Sequence, residues 1–150
     1  MLADITKSEF AAIKPSMRVI VHDHPRRFAR IQAPNAVDAM AISWRSDVVE
    51  PFVLQDQRSM KTWIGVDLRL VCITGDGEIH FSIGLASSLL QIQLFGDVTV
   101  AVCETQLLMI NQDASIRSVC ELIDIPDSVD FQDDKVVVTS IDGVKQSFSV

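Results

Sequence analysis

Two histidines separated by one residue, His22 and His24, are the one arrangement in the sequence that resembles a set of metal ligands. Side chains two positions apart on a strand point the same way, so the two imidazoles could bind one zinc ion. A third ligand would have to come from His80 or from a carboxylate. Because no cysteine pair or H-E-x-x-H motif lies nearby, we interpret these histidines as a polar turn leading into Pro25. We therefore predict no metal site, no cofactor and no catalytic residue.

Cys72 and His80 suggest a thiolate–imidazole dyad on adjoining strands. Alternation argues against it, because Cys72 falls in the apolar row of Leu70, whereas His80 alternates with the apolar residues of its own strand. The chain has three cysteines, an odd number without metal-type spacing. We predict that all three are reduced thiols in an apolar core.

The segment from His24 to Arg30 contains three arginines around Phe28, a combination that can contact phosphates and stack on a base. The segment is short and has no counterpart elsewhere in the chain. Charged residues on an edge strand also prevent unwanted strand pairing, and we prefer this interpretation. The overall net charge of −7 argues further against nucleic-acid binding, which depends on neutralising phosphates.

Six acidic residues lie between positions 121 and 134, with no basic residue among them. They are Glu121, Asp124, Asp127, Asp130, Asp133 and Asp134. Such closely spaced negative charges repel one another, and a cationic partner would relieve that repulsion. The alternative is an ordinary solvated acidic segment. Calcium binding is a weaker alternative, because the D-x-[DN]-x-[DN]-G spacing is missing.

Charge is unevenly distributed along the chain. Residues 1–31 carry six bases against three acids, whereas residues 32–150 carry seven bases against seventeen acids.

No apolar stretch approaches the ~18 residues that span a bilayer, and the N-terminus does not resemble a signal peptide. We expect a cytoplasmic protein that contacts neither membrane nor nucleic acid.

Two short helices are predicted around these residues. Thr6 and Glu9 form a capping box, so a helix from about Lys7 to Lys14 should follow, ended by Pro15. A second helix near residues 114–124 is predicted from apolar residues at i, i+3, i+4 and i+7, with Asp113 or Ser115 as its cap.

The remaining chain reads as antiparallel hairpins. An alternating strand at residues 17–21 is expected to pair with residues 28–32. A four-residue loop at residues 74–77 should place Cys72 opposite Ile79 and Leu70 opposite Phe81. A three-residue loop should pair Leu94 with Val98, because a two-residue loop would mix the two faces. A turn at residues 142–143 should place Val137 opposite Phe148.

These patterns predict a single domain over residues 1–150, mainly β or β-rich α+β, with hairpins forming a small sandwich or barrel. The leading functional hypothesis is a non-enzymatic protein-binding domain, of inhibitor, immunity or assembly type, whose acidic segment docks on a basic protein partner. An alternative is a barrel or sandwich that holds a small apolar ligand between its sheets. A metal-dependent enzyme using His22 and His24 is a weaker alternative. Self-association through an exposed strand is also possible.

Overall fold

A computed structural model describes residues 2–150 of the chain. Strands dominate, and they fall into four sheets of three or four strands each. The strands are β1 (Leu2–Asp4), β2 (Arg18–Ile20), β3 (Arg27–Ile31), β4 (Met40–Trp44), β5 (Phe52–Asp56), β6 (Lys61–Val66), β7 (Arg69–Ile73), β8 (Ile79–Gly84), β9 (Leu89–Phe95), β10 (Val98–Cys103), β11 (Gln106–Asn111), β12 (Ile116–Glu121), β13 (Pro126–Gln132), β14 (Lys135–Ser140) and β15 (Lys145–Ser149). The mainly β fold class with antiparallel hairpins is confirmed.

The chain divides into two compact units, Met1–Gly84 and Leu85–Val150, hereafter the N-terminal and C-terminal units. Each unit contains two of the four sheets. The expectation of a single domain stays a prediction.

One helix, α1 (Lys7–Ala12), begins where the capping box predicted it. The Thr6 hydroxyl accepts a hydrogen bond from the Glu9 amide, and the Glu9 carboxylate accepts one from the Thr6 amide at 2.7 Å. The helix ends at Ala12, two residues before the predicted end at Lys14, because Ile13 is already extended ahead of the short 3-10 turn Pro15–Met17. Phe10 is its buried residue.

In the N-terminal unit, the sheet β1-β3-β4-β2 packs against one face of the sheet β5-β6-β7-β8. Ile31, Ile42 and Trp44 of the first sheet are fully or almost fully buried, and Ile64 and Val71 of the second sheet belong to the same cluster. The strand β2 pairs with β4 in parallel, and β3 pairs with β1 and β4. The predicted hairpin between residues 17–21 and 28–32 is therefore wrong, because β4 takes the place between β2 and β3.

In the C-terminal unit, the sheet β12-β11-β10-β9 packs against the three-stranded sheet β13-β14-β15. Val100 and Met109 of the first sheet lie in one cluster with Val136 and Val138 of the second. The rings of Phe95 and Phe131 join the two sheets at a centroid distance of 5.3 Å. β13 and β15 are the edges of the smaller sheet.

The predicted helix near residues 114–124 is wrong, since this segment contains strand β12. Asp113 does not cap a helix. Its carboxylate accepts hydrogen bonds from the amide and the hydroxyl of Ser115, and this closes the tight turn between β11 and β12. The side chains of β12 then alternate, with Cys120 directed toward the core cluster and Val119 exposed. Pairing with the buried strand β11 overrides the helical periodicity.

The three hairpin registers differ from those predicted. Phe95 pairs with Val98 around a two-residue loop that begins with Gly96, at a φ of +61°. Phe148 pairs with Val136 instead of Val137, because the turn is longer by one residue than a two-residue loop.

The remaining hairpin, between β7 and β8, keeps its predicted face but not its register. Cys72 pairs with Phe81 rather than Ile79, and Leu70 pairs with Ile83. Cys72 and Leu70 nonetheless share a buried face, as predicted.

Candidate functional site

The six acidic residues of the segment 121–134 lie at the end of β12, in the connection that follows it, on β13 and in the next turn. Asp127 and Asp130 lie on the edge strand β13, and Asp130 is opposite Val137 of β14. Asp133 and Asp134 occupy the turn that follows, and Glu121 ends β12. All of these five acidic residues are exposed. The structure therefore distributes them over two sheets and a turn and does not gather them into a cluster.

Asp124 is the exception, because it meets an acid that sequence reasoning missed. It lies in the connection between β12 and β13, and its carboxyl group is next to that of Asp142 in the turn between β14 and β15. The hydrogen bond that a protonated Asp142 can donate to Asp124, and the charge of Asp124, raise the pKa of Asp142. Two carboxyl groups this close favour one shared proton. When both are ionised, their negative charges repel each other.

Backbone hydrogen bonds hold the two connections side by side. The Ile141 amide donates to the Ile125 carbonyl at 3.0 Å. The side chain of Gln146 on β15 accepts from the Ile123 amide at 2.8 Å. We call residues 122–125 together with 141–144 the loop–turn junction. Its geometry is fixed by main-chain contacts, so Asp124 and Asp142 approach each other in a defined arrangement.

Four branched aliphatic side chains of the loop–turn junction are exposed to solvent. Ile123 is 71% exposed and Ile141 is 59% exposed, while Ile125 and Val144 are each just under half exposed. Single exposed aliphatic residues are ordinary on a protein surface. Four of them on two adjoining connections, around a carboxyl pair, form a patch of the kind found at protein interfaces.

The net charge of the protein resides in the C-terminal unit. Residues 85–150 contain three bases and ten acids, a net charge of −7, whereas residues 1–84 contain ten of each. The loop–turn junction thus belongs to the unit that carries the whole negative excess.

Two of the three arginines between His24 and Arg30 form ion pairs. Arg26 pairs with Asp47 at 2.8 Å. Arg27 pairs with Glu50, lies 3.7 Å from Asp4 and stacks over the ring of Trp44. Intramolecular carboxylates therefore neutralise two of the three arginines that the sequence offered for phosphate binding.

The two histidines do not lie together on a strand, as the alternative of a metal site would require. β2 ends at Ile20, so His22 and His24 lie beyond the strand, and the His22 ring accepts a hydrogen bond from the His24 amide at 3.0 Å. Across residues 2–150, no group of three or more His, Cys, Asp or Glu side chains is placed to hold a metal ion. The hypothesis of a metal enzyme receives no support from this geometry.

Burial keeps two of the three cysteines, Cys72 and Cys103, in the protonated thiol form. Burial raises the pKa of Cys72 to about 12 and that of Cys103 to about 11. His80 instead approaches the amine of Lys61, with 3.3 Å between the two nitrogens. A neutral thiol is a poor nucleophile, so Cys72 lacks the activation that a dyad requires. All three cysteines are free thiols, and Cys120 is only partly buried.

The apolar strand residues that could line a ligand site differ in their exposure. Leu70 and Cys72 are fully buried, whereas Leu68 lies in the turn between β6 and β7 and is 49% exposed.

Within residues 2–150, no helix has the length and apolar character needed to cross a membrane.

Comparisons with known proteins give a fold and no family. No protein-family model matches the chain, and no curated protein matches it. Among solved structures, it resembles Sqt1 of Saccharomyces cerevisiae, with a TM-score of 0.61 and 10% identity over 99% of this chain and 45% of that one. It also resembles the computationally designed Ika4 protein, with a TM-score of 0.57 and 10% identity over 87% of this chain and 89% of that one.

A third similar structure is BamB from Moraxella catarrhalis, with a TM-score of 0.54 and 14% identity over 99% of this chain and 49% of that one. The chain thus spans about half the length of the Sqt1 and BamB chains. These neighbours are β-propeller-like or designed proteins. Small antiparallel sheets that follow one another along the chain are the units from which propellers are built. At these identities the likeness concerns the fold alone.

Proposed function

We propose that this chain is a non-enzymatic protein-binding domain whose C-terminal unit docks on a basic surface of another protein. The contact between the carboxyl groups of Asp124 and Asp142, surrounded by four exposed aliphatic side chains, carries this proposal. A lysine or arginine of the partner would relieve the repulsion between the two acids. The aliphatic side chains around them would supply the apolar contact area.

The two kinds of residue have different roles in this proposal. The net charge of −7 on the C-terminal unit attracts a basic partner over distance and raises the rate of encounter. Ile123 and Ile141, the most exposed aliphatic residues of the loop–turn junction, would be buried at the centre of the interface. The acids along β13, Asp127 and Asp130 among them, would lie at the rim, where single charges contribute little to affinity.

An affinity capture with quantitative mass spectrometry tests the proposal. The wild-type chain is compared with the double variant Asp124→Lys/Asp142→Lys. The matched control is Asp76→Lys/Asp97→Lys, which makes the same charge change on two exposed hairpin turns. We expect at least one protein to be retained by the wild type and the control and to be depleted about tenfold or more by the junction variant.

A further variant, Ile123→Ser, distinguishes the contribution of apolar contact to partner binding from that of charge. It leaves every charge in place and removes the most exposed aliphatic side chain of the junction. We expect it to deplete the same captured protein. The same set of proteins captured to the same extent by all four chains would contradict the proposal.

A further inference from the structure

A cleft of about 420 Å³ in the N-terminal unit is lined by both apolar and charged residues. Helix α1, the 3-10 turn and strand β3 contribute to it, together with residues that precede β4. Ile5, Ile13 and Met17 are partly buried and form its apolar part. This volume lies in the range of small-molecule sites.

Three charged side chains of this cleft form no close ion pair with another described residue. In contrast to Arg26 and Arg27, Arg30 makes no ion pair among residues 2–150. The same holds for Lys14 and Asp38, which also line the cleft. The cleft therefore offers two cations and one anion that a ligand could engage.

Glu9 also lines the cleft, but its carboxylate is part of the cap of helix α1. It accepts a hydrogen bond from the Thr6 amide at 2.7 Å as part of the capping box. That hydrogen bond is the main cause of its lowered pKa, and the charge of Arg30 lowers it further. Glu9 thus remains ionised and balances part of the positive charge, so the cleft is close to neutral overall.

A cleft lined by two bases, two acids and several apolar residues fits a zwitterion better than a simple anion. Arg30 and Lys14 can bind a carboxylate, for which the guanidinium fork is suited. Asp38 can accept hydrogen bonds from an ammonium group. Ile13 and Met17 can contact an apolar side chain.

We propose that this cleft binds a small zwitterion with an apolar side chain, of the α-amino acid class. The site is independent of the loop–turn junction, because every residue of it belongs to the N-terminal unit. Protein binding by the C-terminal unit and amino acid binding by this cleft can therefore succeed or fail separately.

Three probes with the same isobutyl side chain test the charge requirement. They are leucine, N-acetyl-leucine and leucinamide, which carry both charges, only the negative charge and only the positive charge. Binding is followed by amide chemical shifts of the ¹⁵N-labelled chain. We expect leucine to shift amides near Ile13, Lys14 and Arg30, and each singly charged probe to bind about tenfold more weakly, because it loses a charge-assisted hydrogen bond.

Variants then locate the binding. Arg30→Gln and Lys14→Gln should each weaken leucine binding about tenfold, whereas Arg45→Gln, which removes an exposed arginine outside the cleft, should leave it unchanged. Far-UV circular dichroism confirms that the variants fold. The proposal is overturned if leucine shifts no amide of the cleft, if leucinamide binds as well as leucine, or if Arg30→Gln and Lys14→Gln both bind like the wild type.

Discussion

Asp124 and Asp142 lie eighteen positions apart in the sequence, and their carboxyl groups lie next to each other in the fold. The contact exists because the connection between β12 and β13 is bound through the main chain to the turn between β14 and β15. An exposed pair of like-charged groups does not stabilise the fold at neutral pH. In the proposed function, a basic residue of the partner would relieve the repulsion between the two acids.

Replacing Asp142 with Asn should stabilise the protein at neutral pH and have no effect in acid. The pKa of Asp142 is raised above its ordinary value of 3.8, so the folded chain holds this proton more tightly than the unfolded chain. The repulsion is therefore present above the raised pKa and vanishes as the pH falls below the unfolded value. Thermal unfolding should show a higher Tm for Asp142→Asn at pH 7 and an equal Tm near pH 2.5.

The matched control is Asp97→Asn, which removes an exposed acid on the turn between β9 and β10. It should leave the Tm unchanged at pH 7. A Tm for Asp142→Asn that equals the wild-type value at pH 7, or that is higher by the same amount at both pH values, would show that the carboxyl pair does not repel.

Two buried hydroxyl groups should respond to removal in opposite directions. Thr62 is 2% exposed, and its hydroxyl has no hydrogen-bond partner within the described residues. Thr62→Val should raise the free energy of unfolding by about 1 kcal/mol, because it removes an unsatisfied buried polar group. Ser43→Ala should lower it by about 1–3 kcal/mol, because the Ser43 hydroxyl accepts the hydrogen bond of the His22 amide at 3.0 Å.

Urea unfolding measures both variants. A lower stability for Thr62→Val would mean that this hydroxyl is satisfied in solution. An unchanged stability for Ser43→Ala would mean that the His22 amide finds another acceptor.

The three thiols should differ in their reaction with a disulfide reagent at pH 8. With pKa values of about 12 and 11, Cys72 and Cys103 are almost entirely protonated at this pH, and both are fully buried. Cys120 is partly exposed and should react first. We expect one fast equivalent in the native protein and three after unfolding, as measured with Ellman's reagent. Three equivalents that react at one rate in the native protein would contradict this burial.

Local signals in the sequence were sufficient for the first helix. The capping box between Thr6 and Glu9 uses only neighbouring backbone groups, so the prediction did not depend on tertiary contacts. The apolar face shared by Leu70 and Cys72 was also predictable, because alternation within one strand survives a shift of the register by two.

Other features depend on distant parts of the chain. The segment around β12 has a helical periodicity, but its pairing with the buried strand β11 decides its structure. The alternation of apolar residues could not predict the length of the loop before Val98. Strand β10 is buried on both faces, so no polar face indicates its register.

The most informative acid, Asp142, was assigned only to a hairpin turn. Its approach to Asp124 depends on the hydrogen bond between Ile141 and Ile125, which no local pattern encodes. The distribution of acidic residues could thus be read from the sequence, but the contact at the loop–turn junction could not.

The proposed binding of a basic partner at the loop–turn junction is tested most directly by the association rate of a captured partner, measured by biolayer interferometry at about 50 and 300 mM NaCl. We predict that Asp124→Lys/Asp142→Lys slows association about tenfold at the lower salt concentration, that Asp76→Lys/Asp97→Lys has a much smaller effect, and that the difference narrows at the higher salt concentration. Association rates that are equal for the junction variant and the control at both salt concentrations would contradict partner binding at the loop–turn junction.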